Sequence, residues 1–242
     1  MNLIIDVGNT RVKVAVFEQD KIVELLVFNK NRIISEVKKI LKKYQIDDAI
    51  MSSVSSISSK KIEKLRELVS ITLVSSTITT PFKNLYSTPK TLGVDRIALV
   101  FGAVIKYPNK NTLVIDAGTC ITFDFVNKEK EYLGGAISPG VEMRYKSLHQ
   151  LTAKLPLLEK KKPENFIGNS TKESINSGVV NGVIQEIEGV IQQYKKKYLD
   201  LTVVLTGGDT NFLSKQLKSS IFANQNFLLE GLNEILIFNK NK

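Results

Sequence analysis

The sequence predicts an α/β protein made of two similar halves, each with one β-sheet and associated helices. A strand-like segment that ends in Asp-x-Gly occurs twice, at residues 3–8 and 113–118. Short β-branched strands also alternate with segments of helical periodicity along most of the chain. Duplication of one unit is the simplest explanation. The turn-prone segment at residues 107–111 breaks the pattern, so we predict domains at 1–107 and 108–242.

Each copy of the repeat continues into two more strands. Residues 11–17 and 120–126 are rich in β-branched and aromatic residues, and a turn-prone cluster follows each of them. Third strands are predicted at residues 22–28 and 132–137. Each half therefore opens as a three-stranded meander.

Segments with apolar residues at helical spacing follow the meanders in both halves. The predicted helices lie near 33–41, 60–69, 96–105, 141–151, 174–194 and 211–217. The remaining predicted strands lie at 49–54, 71–74 and 203–205.

The composition indicates an ordinary globular protein of 242 residues, with 43% hydrophobic and 24% charged residues. The single cysteine, Cys120, excludes an internal disulfide. Apolar runs are too short for a signal peptide at the start, or for a membrane span anywhere, which needs about 18 residues. We therefore expect a cytoplasmic protein with no membrane partner.

The net charge of +10 comes largely from lysine runs scattered along the chain. Such charge could contact nucleic-acid phosphates. However, no aromatic residues interleave with the runs, and most fall in amphipathic helical segments, which favours solvated helix faces. A basic protein also attracts anionic substrates such as nucleotides.

The two Asp-x-Gly turns have the composition of phosphate-binding hairpins. Glycine at 8 and 118 lets the backbone N–H groups approach a phosphate, and a hydroxyl residue follows at Thr10 and Thr119. The aspartates, Asp6 and Asp116, can hold a cation directly or through water. The alternative is a pair of purely structural hairpins.

A third glycine-containing turn, Thr206-Gly207-Gly208-Asp209, follows an apolar strand. Paired glycines allow a base or ribose to lie against the backbone, although a simple strand-to-helix turn has the same composition. In this order, the three turns resemble the phosphate-1, phosphate-2 and adenosine motifs of the acetate kinase, sugar kinase, Hsp70 and actin superfamily. That resemblance implies two duplicated actin-like (ribonuclease H-like) domains with an ATP cleft between them.

A fourth motif, Gly93-Val94-Asp95-Arg96, begins a predicted helix. Asp95 could simply cap this helix while Arg96 pairs with a neighbour. A carboxylate beside an arginine also suits a base that accepts the proton of an attacking hydroxyl next to an anionic substrate.

The ordered set of motifs closely resembles type III pantothenate kinase over nearly the whole chain. The matching segments are 6–10, 93–96, 116–119, 134–140, 152–156, 168–171 and 206–209. The resemblance implies transfer of a phosphoryl group from ATP to pantothenate, with Mg²⁺ and a monovalent cation, K⁺ or NH₄⁺. It also implies a homodimer.

The same resemblance implies roles for individual residues. Asp95 is the expected catalytic base, and Asp116 is the expected ligand of the monovalent cation. ATP would be bound by Asp6, Val7, Gly8, Asn9, Thr10, Arg11, Val12, Lys13 and Thr119. Pantothenate would be bound by Tyr86, Gly93, Val94, Asp95, Arg96 and Thr171. Two alternatives stay open: another small-molecule kinase of the same fold, and a non-catalytic regulatory protein similar to an accessory transcription factor.

Overall fold

The computed structural model describes residues 1–54 and 57–240, and this part of the chain divides into two compact units. The first unit contains 1–108, 129–133 and the chain from Asn226 onward. The second contains Asn109–Lys128 and Gly134–Gln225. These units are defined by contacts, whereas the predicted halves 1–107 and 108–242 describe the sequence repeat and stay a prediction.

The described residues form eleven strands, seven α-helices and two short 3-10 helices, Lys30–Arg32 and Pro89–Thr91. The strands are β1 (Asn2–Val7), β2 (Val12–Glu18), β3 (Lys21–Phe28), β4 (Asp48–Ser53), β5 (Ile71–Leu73), β6 (Lys83–Asn84), β7 (Asn111–Ala117), β8 (Cys120–Val126), β9 (Glu131–Pro139), β10 (Leu201–Thr206) and β11 (Phe222–Ala223). The helices are α1 (Ile33–Lys43), α2 (Ser59–Arg66), α3 (Val94–Lys106), α4 (Val141–Gln150), α5 (Thr171–Lys197), α6 (Thr210–Leu213) and α7 (Phe227–Lys240).

The two sheets have equivalent strand orders. In the first unit the order is β3-β2-β1-β4-β5, with β2 antiparallel to β1 and β4 parallel to it. The second sheet runs β11-β10-β7-β8-β9, with β8 antiparallel and β10 parallel to β7. A short strand, β6, pairs with the start of β9. Both predicted meanders and the predicted α/β class are thereby confirmed.

The strands of the first unit bury one face under α1 and α2. Alternating β1 residues Leu3, Ile5 and Val7 are fully buried in this core, together with Val37 and Ile40 of α1. Strand residues at i and i+2 share a face, so this alternation covers one side of the sheet with apolar groups. It also directs Asp6 to the opposite face.

In the second unit, the long helix α5 packs along one face of the sheet. It buries Val179, Val183, Ile187 and Ile191 at intervals of four residues. This spacing forms a continuous apolar stripe on a helix, and the stripe packs in the same core as Phe123 and Phe125.

Helix α7 is the main element that was not predicted. Asn233 interrupts its apolar pattern, but its side chain is buried, and its Oδ1 accepts a hydrogen bond of 2.9 Å from Asn2 Nδ2. Gly231 lets α3 approach closely, because a Cβ there would overlap the carbonyl oxygen of Ala98. Strands β6 and β11 were also missed, and α6 is shorter than predicted. No helix in the described ranges is both long and apolar enough to cross a membrane.

Candidate active site

Asp6 lies near the end of β1, between Lys13 on β2 and Ser52 on β4. Its carboxylate Oδ1 accepts a hydrogen bond of 2.8 Å from Ser52 Oγ. Burial raises the pKa of Asp6 to about 6, against the lowering effects of Ser52 and Lys13. The charge of Asp95 raises the pKa further, so the two carboxylates interact electrostatically.

The hairpin after Asp6 exposes its tip. Gly8 N–H donates to Arg11 C=O at 3.1 Å, and Asn9, Thr10 and Arg11 are all exposed. This leaves the tip accessible to a ligand. In contrast, the side chains of Val7 and Val12 are fully buried in the core, so any contact of these two residues with ATP must come from their backbone.

Asp95 lies in the first turn of α3, two residues after the N-cap residue Gly93. Its Oδ1 accepts from the backbone N–H of Arg96 at 2.8 Å. Burial raises the pKa of Asp95, while the N–H and the charge of Arg96 partly counter that effect. A Cβ on Gly93 would lie 2.5 Å from Oδ1 of Asp95, so a larger residue here would force the carboxylate to move.

Arg96 and Tyr86 lie together beside this turn. The guanidinium of Arg96 is centred 5.5 Å from the Tyr86 ring, a cation–π distance. Tyr86 stacks in turn on Tyr132, with 6.1 Å between the ring centroids. Arg96 is only 5% exposed. The predicted pantothenate contacts Tyr86 and Gly93–Arg96 are therefore brought together in the first unit.

In the second unit, Asp116 occupies the position on β7 that Asp6 has on β1. It is opposite Thr122 on β8 and Thr206 on β10, so all three side chains share one face. The hydroxyls of both threonines are buried and have no hydrogen-bond partner among the described residues. Asp116 is thus flanked by two unused oxygen atoms.

Close backbone packing fixes the turn that follows Asp116. Gly118 N–H donates to Cys120 C=O at 2.9 Å, which parallels the bond in the first hairpin. Thr119 is exposed at the tip and accepts from Gly140 N–H at 3.1 Å. Gly207 has a φ of +96°, and a Cβ there would overlap Oδ1 of Asp116. The second and third predicted nucleotide turns therefore pack directly on each other.

Thr171 begins α5 and is exposed. The side chain of Ser170, the N-cap, accepts from Glu173 N–H at 3.3 Å. Thr171 lines an open groove of about 960 Å³ within the second unit. The other residues that line it include Arg144, Leu148, Leu155, Asn169, Ser174 and Gly178.

Other residues with possible chemistry have structural contacts. His149 Nδ1 lies 2.8 Å from the carbonyl oxygen of Leu155. Cys120 is a half-buried free thiol. Across residues 1–54 and 57–240, no group of three or more His, Cys, Asp or Glu side chains could hold a metal.

Several contacts of the site were not predicted from the sequence. Ser52 and Thr122 were not singled out, and Thr206 was predicted only as part of the third turn; strand register places these three residues beside the two aspartates. Lys160, placed in a solvated lysine run, forms an ion pair with Asp209. If the strand order β3-β2-β1-β4-β5 and its equivalent in the second sheet had been assumed, the alternation of side chains along the strands would have placed Ser52, Thr122 and Thr206 beside the aspartates. No local signal identifies Lys160.

Solved structures of similar fold place the chain in a class. A ROK family glucokinase from Streptomyces griseus, in complex with glucose and AMPPNP, matches with a TM-score of 0.55 and 8% identity, covering 100% of this chain and 99% of that one. A Campylobacter jejuni protein described as a Baf family transcriptional activator matches with a TM-score of 0.66 and 19% identity, covering 99% and 100%. The fold is that of the actin-like ATPases and sugar kinases.

Sequence relatives identify the family within that class. The family model for type III pantothenate kinase matches residues 2–193. A type III pantothenate kinase of Christiangramia forsetii is 52% identical over 241 residues, covering 99% of both chains. Another, from Flavobacterium johnsoniae, is 47% identical over 235 residues, covering 97% of this chain and 96% of the relative. The chain belongs to the type III pantothenate kinase family.

Proposed function

We propose that the protein transfers the γ-phosphoryl group of ATP to the primary hydroxyl of pantothenate, giving 4′-phosphopantothenate and ADP. This reaction is the first step of coenzyme A biosynthesis. Family membership supports the reaction. The observation that carries the mechanism is the Asp95 carboxylate, held at the start of α3 beside Arg96 and Tyr86.

Asp95 is the proposed general base. The hydroxyl oxygen of pantothenate attacks the γ-phosphorus, and the bond from that phosphorus to the bridging oxygen of ADP breaks. The hydroxyl proton passes to the carboxylate of Asp95. Burial raises the pKa of Asp95, which makes its carboxylate a stronger proton acceptor than an exposed aspartate.

Arg96 and Tyr86 are proposed to orient pantothenate. The substrate carries a carboxylate, and a guanidinium binds a carboxylate through two parallel hydrogen bonds. The Tyr86 ring lies against one face of the Arg96 guanidinium and limits its motion. Less conformational entropy of the Arg96 side chain is therefore lost when pantothenate binds. Thr171, at the exposed start of α5, is proposed as a further hydroxyl contact.

The hairpin Asp6–Lys13 and Thr119 are proposed to bind ATP phosphates. The tips of both hairpins are exposed, and each tip follows a glycine, Gly8 or Gly118. Exposed backbone N–H groups beside a glycine are suited to contact a phosphate. Asp6 fits a cation that arrives with ATP, because it is a carboxylate near the end of β1, directly before the exposed hairpin tip. Magnesium supplies charge neutralisation on the β- and γ-phosphates when it is bound with ATP.

Asp116 is proposed as a ligand of K⁺ or NH₄⁺. The unused hydroxyls of Thr122 and Thr206 on the same sheet face fit this role, since alkali cations are held by oxygen atoms. We also propose that the protein is a cytoplasmic homodimer without a nucleic-acid partner. Sedimentation of the purified protein measures the mass that tests the dimer.

The deciding experiment measures ADP production from ATP and magnesium, with and without pantothenate, in potassium and then in sodium buffer. We expect turnover that depends on pantothenate and is stimulated by potassium. Turnover only with a sugar or another acid from a substrate panel would show a different kinase of the same fold. Folded protein without turnover that retains DNA in a salt-dependent manner would show a regulatory protein.

A further inference from the structure

The connection between α4 and α5 spans residues 151–170 without a helix or strand. It is nevertheless fixed to the second unit. Leu155 and Leu158 pack against the apolar core, and the carbonyl oxygen of Phe166 accepts a hydrogen bond from Ser177 Oγ. Connections of this length without secondary structure are uncommon in compact domains and are frequently functional.

Lys160 joins this connection to the rest of the second unit through an ion pair. Its Nζ forms an ion pair with Oδ1 of Asp209 and lies 5.7 Å from the centroid of the Phe212 ring. The side chain of Asp209 is only 8% exposed. The adjacent Lys161 differs: it pairs with Glu164 at 3.4 Å, and both of those side chains are more than two-thirds exposed, at 71% and 80%.

Asp209 connects Lys160 to both turns of the second unit. It is the last residue of the turn that contains Gly207 and Gly208. Its N–H donates to the carbonyl oxygen of Ala117 at 2.9 Å, inside the turn that ends at Thr119. The Lys160–Asp209 pair therefore acts where the two turns meet.

We propose that Lys160 is a positioning residue for the adenine nucleotide. By neutralising Asp209, it holds the Gly207–Gly208 backbone against the turn at Ala117–Thr119. This inference rests on the proposed function, in which these turns bind ATP. Without Lys160, a largely buried carboxylate loses its cation and turns toward water. Nucleotide binding must then restore the order of the turn, and affinity falls.

The test measures the dissociation constants of ATP, ADP and adenosine at equilibrium, with the full-length protein. Lys160→Met is compared with Lys161→Met, its matched neighbour, and with Asp209→Asn. We expect Lys160→Met to weaken ATP, ADP and adenosine by a similar factor of about ten, the effect of one lost charged hydrogen bond. Lys161→Met should remain within about twofold of the wild type.

Two further variants test whether the effect passes through Asp209. Asp209→Asn should weaken binding as Lys160→Met does, and the double variant should be no weaker than either, because both changes break the same pair. Lys160→Arg should restore much of the affinity. In steady-state assays, the KM for ATP should rise more than kcat falls, and the KM for pantothenate should change little.

Two results would overturn the inference. In the first, Lys160→Met binds all three ligands as Lys161→Met does. In the second, the loss increases from adenosine to ATP, which would show that Lys160 contacts the phosphates directly. If Lys160→Met does not fold, Asp209→Asn is compared instead with the conservative Lys160→Arg, and equal affinities in these two variants would also overturn the inference. Wild-type protein that binds ATP but does not phosphorylate pantothenate would refute the proposed substrate without affecting this role of Lys160.

Discussion

Ser52 Oγ donates a hydrogen bond of 2.8 Å to Asp6 Oδ1, joining the ends of two parallel strands at the first predicted phosphate turn. The bond favours the charged form of Asp6, yet burial has the larger effect and raises its pKa from 3.8 to about 6. At neutral pH the folded protein therefore holds a charged carboxylate at a cost in stability. The proposed role of Asp6 beside the cation that arrives with ATP requires this charged form.

Asp6→Asn should stabilise the fold at pH 7.5 while abolishing most kinase activity. The pKa of Asp6 is higher in the folded state, so the folded state binds the proton more tightly, and stability falls as pH rises from about 4 to 6. The shift of about two units corresponds to roughly 3 kcal/mol. Thermal unfolding at pH 4 and pH 7.5 checks this.

The gain from Asp6→Asn should be large at pH 7.5 and small at pH 4. Asp200→Asn, at an exposed carboxylate, is the control and should change neither value. An equal gain for Asp6→Asn at both pH values would contradict a titration of Asp6 as the cause.

Asp95→Asn should lower kcat by roughly 10²–10⁴-fold, the usual contribution of a positioned base, while ATP binding survives. In the wild type, kcat should fall as pH drops through the raised pKa of Asp95, because only the carboxylate accepts the proton. A pH–rate profile and equilibrium ATP binding measure both effects. Near-normal turnover of the variant would exclude Asp95 as the base.

Arg96→Lys should raise the KM for pantothenate by about tenfold or more, with a smaller effect on the KM for ATP. Lysine keeps the charge but loses the planar fork and the stacking over Tyr86. Arg66→Lys, at an exposed residue on α2, is the matched control. Equal KM values for pantothenate in both variants would remove Arg96 from the substrate site.

The parts of the molecule that were predicted from sequence depend on local patterns. The meander strands are rich in β-branched and aromatic residues, and each Asp-x-Gly turn is defined by residues that are adjacent in the sequence. Contacts between distant segments were not predicted: Ser52 meets Asp6 across 46 positions, and Lys160 meets Asp209 across 49. Lys160, Lys161 and Lys162 are adjacent and identical in type, so the sequence does not show that Lys160 is the one that pairs with the buried Asp209.

Gly207→Ala should destabilise the protein, whereas Gly208→Ala should have little effect on stability. Gly207 has a φ of +96°, and a Cβ there would overlap Asp116 Oδ1 and the Ala117 carbonyl oxygen. A Cβ on Gly208 would meet no atom within 4 Å. We expect a loss of more than about 1 kcal/mol for Gly207→Ala alone. Denaturant unfolding of both variants measures it, and equal stabilities would contradict the close packing of the two turns.

Thr206→Val should raise the potassium concentration needed for half-maximal activity without destabilising the fold. The hydroxyl of Thr206 is buried, has no hydrogen-bond partner among the described residues and is on the same sheet face as Asp116. Its removal therefore breaks no protein contact, and valine keeps the shape. Asp116→Asn should abolish the potassium response, since it removes the charge.

Thr202→Val is the control for that prediction, because it changes the same strand and face four residues away from Thr206. Activity is titrated with KCl at constant ionic strength, and thermal unfolding is followed without potassium. If Thr206→Val and Thr202→Val give the same potassium dependence, the Thr206 hydroxyl is not a cation ligand. If Asp116→Asn keeps the wild-type response, the monovalent cation binds elsewhere. A rise for Thr206→Val, a lost response for Asp116→Asn and an unchanged response for Thr202→Val would place the cation beside Asp116, because Thr206 is paired with Asp116 and Thr202 is not.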